Sequence, residues 1–326
     1  MASTSRIVVV GSGVVGQATG KGFAKKGHQV TFVDINPQTI AKLRDQGLRA
    51  MMPAEVDYSE VDVVMLAVPT PSVDDRIKLD YIDAAAAQVG RGLRDIDNYV
   101  TVVVRSTVPP GTTEQRVIPI IEETSGKQNG IHFGAGMNPE FLRAVSNEQD
   151  FARPWITVLG TADLKTQSIL TKLYEPFGAL IVHCTPTAAE TIKYINNIYN
   201  AVKISYFNEV HDICKRLGVD GNLVAATVAR SAESMWNPLY GTRGGVPYGG
   251  ACLPKDTTAF IAFCRDYGWD HLMLDATIEV NNRLLRQIPA ATSPDKIDQV
   301  LDAVKLDIGE PAREMAMQLG GETVVL

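Results

Sequence analysis

Short apolar runs rich in β-branched residues alternate along the first half of the chain with longer stretches whose apolar positions recur every three or four residues. The runs are RIVVV from Arg6, HQVTFVD from His28, VDVVMLAV from Val61 and YVTVVV from Tyr99, and helical periodicity covers 14–26, 37–46 and 78–90 between them. A strand with no polar face must be covered on both sides, so this alternation predicts right-handed βαβ units. Further strand candidates lie at Ile131 to Gly136, Ile156 to Leu159 and Leu180 to His183. The expected fold class is α/β, a doubly wound parallel sheet followed by a mainly helical domain.

From Ala188 to Leu217 a helical pattern runs without Gly or Pro, long enough to connect two domains. Helical stretches near 220–230, 255–267 and 270–285 follow, with a glycine-rich loop from Tyr240 to Gly250 among them. The expected organisation is a sheet domain over 1–185, a helical domain over 186–288, and a tail over 289–326 that has helix-like pieces but no motif.

Composition narrows the function. The chain has 326 residues, 45% of them hydrophobic, and a net charge of −6 from 31 basic and 37 acidic residues. That excludes disorder over most of the length, and without a run of Lys or Arg there is no footprint for nucleic acid or an anionic membrane. Small molecules are the expected partners. No stretch is long and apolar enough to span a bilayer, and Met1 to Arg6 is too short and polar for a secretion signal, so the expected compartment is the cytoplasm. Cys184, Cys214, Cys252 and Cys264 are widely spaced, which suggests neither a disulfide framework nor a metal site.

Gly11-Ser12-Gly13-Val14-Val15-Gly16 directly follows the first strand and opens a helix, and Asp34 ends the next strand 18 residues after Gly16. This is the pattern of a Rossmann-type dinucleotide site. Gly11 allows the turn, Gly13 lets backbone approach a pyrophosphate, Gly16 lets helix meet strand, and Asp34 would hold ribose hydroxyls. Ile35-Asn36-Pro37 supplies no Arg for a 2′-phosphate, so the reading is NAD rather than NADP. Val68-Pro69-Thr70-Pro71 and Ser106-Thr107-Val108-Pro109-Pro110-Gly111 each follow a strand pattern. Each is either a proline-rich strand ending or a ligand loop, and the hydroxyls of Thr70 and Thr107 favour the ligand loop.

Gly249-Gly250-Ala251-Cys252-Leu253-Pro254-Lys255-Asp256 places a thiol just before a helix that Pro254 helps to open. The positive end of the helix dipole, with Lys255 nearby, would favour a thiolate there. A lone cysteine is otherwise a small buried hydrophobe, which is the reading for Cys184, Cys214 and Cys264. Glu190, Lys193 and Asn197 share one helical stripe, either a solvated ion pair or a lysine and an amide that together stabilise a developing alkoxide. Asn138-Pro139-Glu140 adds a carboxylate that is either a base for activating water or a surface acid of a loop. None of the five histidines has a triad or metal spacing; His28, His132 and His183 read as strand-flanking.

With VVGSGVVG, AVPTP, STVPPGTT, NPEFLR, KYINNIYNAVKISYFNE and GGACLPKD in order, the sequence from Arg6 to about Arg286 resembles the UDP-glucose/GDP-mannose dehydrogenase family. The resemblance implies a four-electron oxidation of a primary alcohol to a carboxylate with two NAD. It implies Cys252 as nucleophile, Lys193 and Asn197 as oxyanion donors, Asp256 as a carboxylate acting through water, Glu140 as hydrolytic base and Thr107 as a positioning hydroxyl. It places Gly11, Gly13, Val14, Val15, Gly16, Asp34, Thr70, Ser106 and Lys255 at NAD, and Phe141, Leu142, Arg143, Arg243, Tyr248 and Gly249 at the substrate. A homodimer through the long helix is expected.

Four departures set this chain apart from the family pattern. Ala144 stands where a second acid is common, and Trp236 where an arginine usually reaches a neighbouring subunit's sugar. Val246-Pro247-Tyr248 has Pro in place of a usual Gly, and the tail from Pro289 shows no motif of the family's third, diphosphate-closing βαβ domain. Beside a nucleotide-sugar 6-dehydrogenase stand three alternatives: the same chemistry on a smaller primary alcohol, a single oxidation of the β-hydroxyacid type, and an NAD-binding paralogue without activity.

Overall fold

The computed structural model of the chain describes residues 4–143, 146–242, 244–245 and 247–287. Contacts divide it into two bodies, Met1–Ile198 and Tyr199–Leu326, with the division inside a single long helix.

The first body begins with β1 (Arg6–Val10), α1 (Val14–Lys25), β2 (Gln29–Val33), α2 (Pro37–Asp45), the short β3 (Ala50–Met51) and β4 (Val63–Leu66). A two-stranded hairpin, β5 (Ser72–Val73) with β6 (Arg76–Ile77), precedes α3 (Asp80–Leu93) and β7 (Val100–Val104). A π-helical turn, Thr113–Val117, leads into α4 (Ile118–Ser125), followed by β8 (Phe133–Met137), α5 (Asn147–Ala152), β9 (Ile156–Thr161), α6 (Leu164–Tyr174) and β10 (Leu180–Cys184). Helix α7 (Pro186–Leu217) then leaves this body.

Eight strands form one sheet in the order β10-β9-β8-β7-β4-β1-β2-β3. The apolar runs supply both of its faces. Val8, Val10, Val64, Leu66, Val102 and Val104 pack with α3 and α4, whereas Ile7, Val9, Val63, Met65 and Val103 pack with Phe23 of α1, Leu43 of α2 and Leu170 of α6. β1 pairs with β2 on one side and β4 on the other, so the strand order reverses at β1, and a crevice opens at the carboxyl ends of β1 and β4.

The sheet departs from the expected all-parallel arrangement in one place: β9 runs antiparallel to β8, through Gly136↔Thr161 and Met137↔Gly160. A parallel crossover must return the chain along the full length of the sheet, which needs a substantial helix. Helix α5 has six residues, so the chain re-enters from the edge it has just left. β10 then pairs in parallel with β9, Cys184 opposite Gly160, and α7 therefore starts level with the carboxyl ends of β7 and β8. A side chain at Gly160 would meet Cβ of Ala189 at 2.7 Å, so a glycine is needed for α7 to seat there.

The second body contains the end of α7 with α8 (Gly221–Ser231), α9 (Glu233–Trp236), α10 (Leu253–Asp266) and α11 (Leu272–Gln287). Among its described residues, Ile213, Cys214, Pro247, Ile261 and Cys264 are buried apolar residues. Glu209 on α7 accepts from the backbone N–H of Met273 at 2.9 Å and of Leu274 at 3.3 Å, satisfying two of the free donors at the start of α11. The tail 289–326 and the fold expected of it lie outside the described residues.

Candidate active site

The crevice at β1 and β4 is a cleft of about 590 Å³ lined by Gly11, Ser12, Gly13, Val14, Val15, Asp34, Thr70, Ser106, Thr107 and Glu140, among others. Its shape follows from the glycines. Gly11 has φ +93° and lies so close to β4 that a Cβ would stand 2.5 Å from the Ala67 carbonyl oxygen. A Cβ on Gly16 would stand 1.9 Å from the Gly11 carbonyl oxygen, whereas one on Gly13, at the start of α1, would meet nothing within 4 Å. Two of the glycines thus close the turn, and the third leaves space in front of a helix N-terminus.

Asp34 accepts from the Ser12 N–H at 2.8 Å through Oδ2 and from the Asn36 N–H at 2.9 Å through Oδ1. These bonds fix its carboxylate at the end of β2. The loops after β4 and β7 form the opposite wall: Thr70 Oγ1 donates to the Thr107 carbonyl at 2.9 Å, and Ser106 Oγ to the Val68 carbonyl at 2.6 Å.

Beyond β8, the Glu140 side chain is 14% exposed and paired at 2.9 Å with Lys193, itself 6% exposed, so Glu140 is not the surface acid of a loop. Its Oε2 also accepts from the Leu142 N–H at 2.6 Å. Lys193 Nζ lies 5.6 Å from the centre of the Phe141 ring. A buried pair of this kind costs about 3–5 kcal/mol when one partner is removed, because the other charge is left unpaired. Glu190, on the same face of α7, is fully buried and bonds to the loop after β7 rather than to Lys193. Asn197 is exposed and accepts from Asn196 at 3.2 Å. Leu142 packs on the core, whereas Arg143 reaches outward and holds Asp150 through its side chain at 2.7 Å and 3.1 Å and its backbone N–H at 2.9 Å. The Arg143 guanidinium, aided by the Ser146 hydroxyl, keeps the Asp150 carboxyl well below the usual carboxylate range.

In the second body Cys252 is exposed at the N-cap position of α10, with Pro254 at the second helical position. The neighbouring pair Lys255 and Asp256 is also exposed, the two side chains in contact with each other. Tyr248 and Gly249 are half-buried, and Asn281 of α11 holds the Tyr248 backbone from both sides, accepting from its N–H at 2.7 Å and donating to its carbonyl at 3.1 Å. Arg243, Ala144 and Val246 lie outside the described residues. His28 and His132 precede strands as expected, whereas His183 lies within β10.

Comparison with known proteins gives these features a context. The NAD-binding domain of the UDP-glucose/GDP-mannose dehydrogenase family matches residues 5–53 and 44–178, and the central domain of the same family matches 187–283. This chain belongs to the UDP-glucose/GDP-mannose dehydrogenase family. GDP-mannose 6-dehydrogenase of Pseudomonas aeruginosa is 33% identical over 312 residues, 89% of this chain and 71% of that protein. UDP-glucose 6-dehydrogenase AglM of Haloferax volcanii is 36% identical over 298 residues, 84% of this chain and 69% of that protein. Among solved structures, a ternary complex of GDP-mannose dehydrogenase from Pseudomonas aeruginosa superposes with a TM-score of 0.80 at 33% identity, covering 86% of this chain and 69% of that one. The chain spans between 63% and 71% of the length of the curated relatives it matches.

Within this family of NAD-dependent dehydrogenases, residues 5–178 of the first body match the NAD-binding domain. The cleft fits that cofactor. Space in front of Gly13 meets the amino end of α1, and a carboxylate stands at the end of β2. Two residues of this family member are not found by motif reading. Asn281 carries no signal beyond being polar within a helical pattern. Arg105 is 4% exposed, donates to Thr19 at 3.0 Å and to the Asn138 carbonyl at 3.2 Å, and reads in the sequence only as the end of a strand. Among the described residues no cluster of three or more His, Cys, Asp or Glu side chains could hold a metal, and no helix is long and apolar enough to cross a membrane.

Proposed function

We propose that this chain oxidises the primary alcohol of a nucleotide sugar to a carboxylate, with Cys252 holding the intermediates covalently. The carrying observation is an exposed cysteine at the N-cap position of α10, open to attack on a carbonyl, in a family that also supplies an NAD site. Bound NAD supplies two hydride acceptances per substrate, and Gly11, Gly13, Gly16, Asp34, Thr70 and Ser106 are the residues that would hold it.

In this reading Lys193 and Asn197 donate to the alcohol oxygen as its proton leaves and its carbon is oxidised to the aldehyde. The Cys252 sulfur then adds to the aldehyde carbon, and the thiol proton passes to solvent or to Asp256. Oxidation of that thiohemiacetal gives a thioester. Water, deprotonated by Glu140, attacks the thioester carbonyl and expels the Cys252 thiolate, which regains its proton. The balance is one alcohol, one water and two NAD in, and one carboxylate, two NADH and three protons out. Covalent capture prevents escape of the aldehyde between the two oxidations.

A second copy of this chain is the proposed partner. Ile195, Ile198, Tyr199 and Val202 form an exposed apolar stripe at helical spacing, which supports a second copy of this chain as its cover. The deciding experiment counts NADH per alcohol consumed with UDP-glucose and GDP-mannose, using wild type and Cys252→Ser. Two NADH and one acid are expected for wild type, with no acid from the variant. One NADH per turnover in wild type, or undiminished acid from Cys252→Ser, would sink the proposal.

A further inference from the structure

We propose that Glu190 is a positioning residue, a buried latch that fixes the loop after β7 to the first turns of α7 and so sets where Lys193 stands relative to Thr107 and Glu140. The inference rests on the reading above, in which those three residues act on the substrate.

Glu190 has no exposed surface. Its carboxylate accepts from the Gly111 N–H at 2.5 Å through one oxygen, and from the Thr113 N–H at 2.7 Å and the Thr113 hydroxyl at 2.6 Å through the other. Burial pushes its carboxyl above the usual range, and the three donors oppose that push. An apolar side chain would fill this position at less cost. What only an acceptor can do is bind the backbone donors of a loop that has no strand or helix partner for them. One of those donors belongs to Gly111, whose φ is +91°.

The latch is reciprocal. Glu114, next to Thr113, accepts from the Thr187 N–H at 3.2 Å and from the Thr187 hydroxyl, in the first turn of α7. Upstream, the same loop is tied to the cleft wall by Thr70 and Ser106. Downstream, Lys193 lies three residues from Glu190 and pairs with Glu140 at 2.9 Å. The ends of β4, β7 and β8 are thereby referenced to one face of one helix, and Glu190 is the joint. Occupation of its oxygens by loop donors has a second effect. A free carboxylate three residues from Lys193 on a helix would compete with Glu140 for the ammonium; the latched one is engaged elsewhere.

The test uses the full chain with Glu190→Gln and, because that variant could fail to fold, the near-isosteric Thr113→Val. The first readout needs no turnover: the rate at which a water-soluble acylating reagent labels Lys193, followed by peptide mass spectrometry with exposed Lys42 as control. Glu190→Gln puts an amide donor against a backbone donor, and is expected to raise Lys193 labelling about fivefold or more with Lys42 unchanged, Thr113→Val falling between it and wild type. With a substrate, kcat is expected to fall about tenfold or more while KM and NAD affinity stay within about threefold. Unchanged Lys193 labelling in the folded variants overturns the latch, as does an equal rise at Lys42, which would mean general loosening. Absence of oxidation by wild type counts against the functional reading alone, since the labelling readout stands without it.

Discussion

Gly13→Ala and Gly16→Ala place the same methyl group three residues apart and should have opposite consequences. At Gly13 the backbone has φ −73° and ψ −165°, an extended conformation open to any residue, and the new Cβ meets no protein atom within 4 Å. The folding cost is then only the weaker N-cap preference of alanine, on the order of 1 kcal/mol, or roughly 2–4 °C in melting temperature. The methyl group would occupy the space in which a pyrophosphate meets the start of α1. Loss of one backbone hydrogen bond to a charged phosphate is worth about 1.5–3 kcal/mol, which weakens NAD binding roughly 10- to 150-fold. At Gly16 the Cβ would lie 1.9 Å from the Gly11 carbonyl oxygen, so the turn itself must move. An overpacked contact against backbone costs about 1–3 kcal/mol or more, and this variant should melt well below Gly13→Ala. Calorimetric titration with NAD and thermal melts of the three proteins read both quantities. NAD affinity for Gly13→Ala within twofold of wild type would refute the assignment of that space to the cofactor, and equal melting of the two variants would refute the packing argument.

Two further predictions concern hydrogen-bonded loops, one in each body. Asp150→Asn should destabilise the chain at neutral pH. The Asp150 carboxyl is held below its unfolded value by Arg143, so its contribution is present above about pH 4 and fades as pH falls through the folded-state value. Melts of wild type and variant should therefore converge below about pH 4, and a gap that persists or widens in acid would contradict the pairing. Asn281→Ala removes both bonds to the Tyr248 backbone and should cost about 1–3 kcal/mol in denaturant unfolding of the helical body while leaving NAD affinity unchanged. An unaltered unfolding midpoint would count against it.

Much of this was legible because the signals are local. Strands buried on both faces must be apolar throughout, so RIVVV, VVML and VTVVV mark themselves, and a glycine turn between strand and helix has few other uses. Cys252 could be placed at a helix start because Pro254 is admitted only in a first turn. The reversal of β9 was not legible: Ile156–Thr161 reads the same in either direction, and only the brevity of α5 decides between them. Nor was the partnership of the stripe on α7. Helical spacing puts Glu190 beside Lys193 and suggests that they pair, but each finds its partner on a distant loop, Glu190 at Gly111 and Thr113, Lys193 at Glu140. Distances in sequence of 77 and 79 residues for the Glu190 bonds carry no periodic signal.

The reversed strand also bears on how the molecule opens. The parallel strands β3-β2-β1-β4-β7-β8 are complete by Met137, and the outer pair β9 and β10 is stitched to them through two residue pairs. A seam so short is where a sheet parts at the least free energy, so β9, β10 and the root of α7 form a natural unit of sub-global opening. Each such excursion would part Lys193 from Glu140 and break the Glu190 bonds to Gly111 and Thr113, while β1, β2 and β4 stay paired. Amide exchange in this fold should accordingly separate two populations, slow at the cofactor strands and faster at β9, β10 and the first turns of α7.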